Sequence, residues 1–115
     1  MINIYNGTFQ CSNGSPVANG SLELRLSWDS TQTVSPGTVV AGSPIIISLD
    51  SNGNAPKTTI WSNAELIPSG SYYIAKIYDD NGIPVLKSPL IWEFMQATGA
   101  NVNLSSVESL TSLPV

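Results

Sequence analysis

Histidine is absent from this chain of 115 residues, cysteine occurs once, and only four side chains are cationic. Each shortage removes a class of chemistry. Without histidine there is no Ser–His or Cys–His nucleophile pair, and the usual general base is missing. A lone Cys11 permits no internal disulfide and no cysteine-based metal site, and it reads as a small strand-end residue rather than a reactive thiol. Lys57, Lys76, Lys87 and Arg25 are scattered through a chain of net charge −4. Nucleic-acid binding needs a clustered basic surface, so nucleic acid and a polybasic membrane contact are both set aside. No run approaches the roughly 20 apolar residues of a membrane span. The first residues, with no charged start and no long apolar run, suggest no signal peptide.

Charged residues make up only 10% of the chain, against about 25% in ordinary globular domains. Serine, threonine and asparagine therefore keep the surface polar. That composition suits a coat, tail or extracellular module better than a cytosolic enzyme. Four Asn-X-Ser/Thr sequons, at Asn6, Asn13, Asn19 and Asn103, are read as chance in an Asn- and Ser-rich chain.

What is present is a core's worth of apolar residues, 42% of the chain, set out with a period of two. Leu22, Leu24, Leu26 and Trp28 alternate with Glu23, Arg25 and Ser27, a pattern that buries one face of a strand and that a helix cannot satisfy. Further strands are expected over 2–9, 44–49, 57–61, 71–78, 85–87, 90–94 and 101–104, with a short edge strand at 38–41. Residues 29–37 read as a polar loop, and 63–66 as a brief helical or turn element. Ser12-Asn13-Gly14-Ser15-Pro16, Asp50-Ser51-Asn52-Gly53-Asn54 and Asp79-Asp80-Asn81-Gly82 are turns, because Asn and Gly tolerate positive φ and Asn-Gly is a strong hairpin signal. The expectation is an all-β fold, a single small antiparallel β-sandwich of about seven to eight strands without a disulfide. Residues 1–104 form the sandwich, and 105–115 a C-terminal tail or linker.

The order of these turns resembles a family. Gly7-Thr8-Phe9, followed by Asn13 to Leu22 with Gly14-Ser15-Pro16-Val17 at its centre, is similar to the opening of transthyretin-like or carboxypeptidase-regulatory-like domains. Leu49-Asp50-Ser51-Asn52-Gly53-Asn54 resembles their "D-x-x-G" turn, and Leu66-Ile67-Pro68-Ser69-Gly70-Ser71-Tyr72-Tyr73 their "L-x-P-G-x-Y" segment. The likeness covers about two-thirds of the chain. The same turns resemble small β-domains of bacteriophage tail, fibre and baseplate proteins. The resemblance implies a transthyretin-like or immunoglobulin-like sandwich that binds or assembles rather than catalyses, in a phage virion. The long Ser/Thr loop at 29–37 and the positions of Trp61 and Trp92 depart from it.

No catalytic constellation emerges. Asp29, Asp50, Asp79, Asp80, Glu23, Glu65 and Glu93 fall mostly in turns or on outer strand faces rather than as a facing pair. The Asp50 and Asp79 turns are rich in oxygen, but Asp50 starts no complete EF-hand loop. Their acids are expected to hydrogen-bond their own backbone. The chain is therefore expected to be no enzyme and to need no cofactor or metal. Two binding modes remain. Ile45-Ile46-Ile47, Tyr72-Tyr73-Ile74 and Leu90-Ile91-Trp92 are apolar on both strand faces. Ile46, Tyr72 and Ile91 are thus candidates for an exposed interface with other virion proteins or with further copies of the chain. Alternatively, Trp61, Tyr72 and Tyr73 could stack on sugar rings, with a host-surface glycan as partner and an extracellular or cell-surface location in place of the virion.

Overall fold

A computed structural model of the chain describes residues 1–5, 7–27, 30–33, 38–67 and 69–110. Ten short strands lie among them: β1 (Ile2–Tyr5), β2 (Ser21–Leu26), β3 (Ser30–Thr33), β4 (Val39–Ala41), β5 (Ile45–Ser48), β6 (Thr58–Ile60), β7 (Leu66–Ile67), β8 (Tyr73–Tyr78), β9 (Leu90–Trp92) and β10 (Asn101–Asn103). Two 3-10 turns, Asn63–Glu65 and Leu104–Ser106, complete the regular structure. The all-β expectation holds.

The alternating run of β2 becomes an inner strand of a four-stranded sheet ordered β5-β2-β8-β9. Its Leu22, Leu24 and Leu26 are buried, together with Ile47, Tyr73, Ala75, Ile77 and Trp92 from the neighbouring strands. Opposite lies a sheet ordered β10-β1-β6, which contributes Ile2, Ile4, Ile60 and Val102 to the same core cluster. A core shared by two sheets is the physical content of a sandwich. Among the described strands every pair is antiparallel except β1 with β10, which run parallel. A third small sheet, β4-β3-β7, sits beside them, with buried Leu66 and half-buried Val40 joining the core.

Two local expectations are corrected. Residues 30–33, expected within a loop, form β3 and pair with both β4 and β7. Apolar alternation gave no sign of it, since a ladder is made by the backbone. Residues 85–87, expected as a strand, do not form one. The Val85 amide bonds to the Ile77 carbonyl and Pro84 bridges Tyr78, but Pro84 and Pro89 lack the N–H groups to extend the ladder. The expected core position of Trp28 lies outside the described residues.

The three turns share one geometry. In 50–54 the Gly53 amide donates to the Asp50 carbonyl at 3.0 Å and the Asp50 amide to the Asn54 carbonyl at 3.1 Å. The same pair of bonds closes 79–83 and 11–15. Gly53 has φ +75°, and a Cβ there would stand 2.5 Å from the Phe9 carbonyl, so both conformation and space require glycine.

Candidate functional site

With Leu22, Leu24 and Leu26 pointing inward, the other side chains of the four-stranded sheet must point outward. Strand register then places them in rows. Ile46 of β5, Glu23 of β2 and Lys76 of β8 form one row; Arg25, Ile74 of β8 and Ile91 of β9 form the next. Tyr72 continues β8 on the same face, opposite Ser27. The Ser27 amide donates to the Tyr72 carbonyl at 2.9 Å, and the Tyr72 amide to the Ser27 hydroxyl at 3.2 Å. The three interface candidates therefore share one sheet face. Ile46 is 59% exposed, while Tyr72 and Ile91 are half-buried. Ile46 and Ile91 stand on opposite outer strands, about 14 Å apart at the usual strand spacing. Glu23, Arg25 and Lys76 divide the apolar residues between them.

The three sugar-stacking candidates do not form one platform. Tyr73 points into the core, 2% exposed, its ring centroid 5.7 Å from that of Phe94. Its hydroxyl donates to the Trp61 carbonyl at 2.7 Å. Burial, then the Glu65 carboxylate, pushes its phenol far above the ordinary tyrosine range, which keeps it a neutral donor. Tyr73 is thus withdrawn as a sugar contact, because alternation along β8 can expose only one of two adjacent tyrosines. Tyr72 lies on the opposite sheet face. Trp61 is half-buried and lines a cavity of ≈ 210 Å³ with Leu26, Val40, Ile45 and Tyr73.

The oxygen-rich turns use their acids internally. Asp50 Oδ1 accepts from the Asn52 and Asn54 amides at 2.8 and 2.9 Å, and Asp79 Oδ1 from Asn81 and Ile83 at 2.9 Å each. Among the described residues no three acidic or cysteine side chains come together as a metal-holding group.

Two features of this site were not anticipated. Residues 107–110 run beside β9: the Leu110 amide donates to the Ile91 carbonyl at 2.8 Å, and the Ile91 amide to the Ser109 hydroxyl at 3.0 Å. Val107 packs on the core. This edge of the sheet is covered by the segment expected as a tail or linker. The other edge strand, β5, has no strand beyond it among the described residues. Strand order is a long-range property, so no local signal marks β5 as an edge.

No family model matches this chain, and no curated protein and no solved structure matches it at a significant level.

Proposed function

We propose that this domain is a non-catalytic structural or adaptor module that assembles with other protein chains through its four-stranded sheet. The observation that carries the reading is Ile46, 59% exposed, on the same face as Tyr72 and Ile91. Apolar side chains gathered on one sheet face support a contact surface, and Ile46, Tyr72 and Ile91 share this one with Glu23, Arg25 and Lys76 between them. Low charge and an order of turns that resembles phage tail, fibre and baseplate domains favour a virion as the setting. Copies of the chain or other virion proteins are the partners.

Light scattering behind size-exclusion chromatography, over a concentration series of the protein alone and with candidate virion partners, tests the reading. Assembly is expected, and Ile46→Glu is expected to weaken it at least tenfold, because a buried unpaired carboxylate is costly. A chain that stays monomeric with every partner, or assembly indifferent to both Ile46→Glu and Ile91→Glu, overturns it.

A further inference from the structure

The two lateral openings of the sandwich are closed unequally. On one side the segment 107–110 lies along β9 and satisfies both outward backbone groups of Ile91. On the other side the edge strands are β5 and β6, and the cavity of ≈ 210 Å³ is lined there by Ile45 on β5, by Thr59, Ile60 and Trp61 on or beside β6, and by Val40 of β4 and Ser43.

The β5 edge presents backbone groups unpaired among the described residues. The Leu49 amide donates to the Gly20 carbonyl at 2.9 Å. Antiparallel alternation then turns the amides and carbonyls of Ile47 and Ile45 toward β2, in register with Leu22 and Leu24. Those of Ile46 and Ser48 turn outward, where no described strand meets them. Protective devices common on such edges, such as a lysine on the strand or an inward-pointing charge, are missing from Ile45-Ile46-Ile47-Ser48. Pro44 stands only at its start.

We propose that this edge receives an extended, uncharged segment of a partner chain, added as a fifth strand beside β5. The inference rests on the assembly reading and names the partner's chemistry. A residue paired with Ile46 would lay its side chain over the exposed Ile46 on the outer face. Its neighbour in sequence would point inward beside Ile45, into the cavity. A cavity of ~150 Å³ with apolar lining accepts benzene, so ≈ 210 Å³ has room for one leucine, isoleucine or phenylalanine side chain. Charge selects the same occupant. Among the described residues no charged side chain lines the cavity, and the α-ammonium of Met1, a residue of its lining, already pairs with Glu65 at 2.9 Å. A charged side chain entering it would lose its water without gaining a partner. Main-chain bonds supply the hold and alternate pockets the selectivity, as in other strand additions. The opposite edge is covered in a simpler way, by residues 107–110 through one main-chain bond and the Ser109 hydroxyl.

The test uses the intact protein, labelled with nitrogen-15, and synthetic eight-residue peptides capped at both ends. One alternates threonine with valine and leucine; a second has aspartate at the inward positions; a third is the first peptide N-methylated at alternate residues along one edge. The first peptide is expected to shift the Ile46 and Ser48 amide resonances and slow their hydrogen exchange. The aspartate and N-methyl peptides are expected to bind at least tenfold more weakly. Ser48→Pro, which removes an outward donor and leaves the β2 ladder intact, is expected to weaken the first peptide equally; a matching thermal midpoint shows that it still folds. Equal binding of all three peptides, shifts centred on Tyr72 and Ile91, or no binding at millimolar peptide overturns the strand-addition inference. None of these results touches the assembly reading, which stands or falls on light scattering and the two glutamate substitutions.

Discussion

Asn63 shows what one buried polar side chain holds together. It is 3% exposed, and its amide group donates to the Ser71 hydroxyl at 3.0 Å while its Oδ1 accepts from the Phe94 amide at 2.8 Å. Its backbone amide donates to the Phe94 carbonyl at 2.7 Å. Phe94 is thereby fixed where its ring meets Tyr73 and Trp92. Asn63→Ala would leave the Phe94 amide buried and unbonded, so a loss of about 2 kcal/mol is expected, read as a lower urea midpoint at unchanged m-value. This residue was illegible in the sequence. Asn63 stood in a segment expected to be a brief turn, and nothing local distinguishes an asparagine that caps a turn from one that ties two distant segments. Adjacent tyrosines were only half legible for a related reason. Alternation says that one of Tyr72 and Tyr73 faces out, but the register that chooses between them is set by pairing with β2 and β9.

At the scale of the element, turns and alternating strands were legible and edges were not. The Asp-x-Asn-Gly turns declare themselves because their chemistry is local: an aspartate bonds the backbone two and four residues on, and glycine takes the positive φ. What lies beside a strand is a long-range fact. Residues 107–110 lack the alternation of a strand, yet they serve as one for β9 through a single main-chain bond and one serine hydroxyl. Leu110→Pro removes the amide that bonds the Ile91 carbonyl. The expected outcome is a loss of about 1 kcal/mol, with faster hydrogen exchange confined to β9 and no change at β2. An equal acceleration across the whole sheet would mean that the segment does more than cover this edge.

For the molecule as a whole, eight acids against four basic side chains make the response to acid the informative one, and Glu65 sits where several elements meet. Its carboxylate accepts from the Met1 α-ammonium at 2.9 Å, the Thr98 hydroxyl at 2.8 Å and the Ser62 amide at 3.1 Å. It thus joins the start of β1, the first 3-10 turn and the turn at 98–99. Burial works against its charge, but the ammonium, the hydroxyl and the Ser62 amide together outweigh burial and hold its carboxyl below the ordinary range. A carboxyl whose pKa is lower folded than unfolded stabilises the fold above its unfolded value, about 4.3, and loses that contribution as pH falls through the folded value. Stability is therefore expected to decline below about pH 4.3, with Glu65 responsible for part of the slope. Glu65→Gln keeps the side chain's length and an acceptor oxygen but has no proton to take up. Its expected stability is lower than that of the parent at neutral pH, and the two curves converge as acid protonates Glu65 in the parent. Urea midpoints of both proteins between pH 7 and pH 2 check the prediction, and a gap that stays constant with pH would show that Glu65 acts through its hydrogen bonds alone.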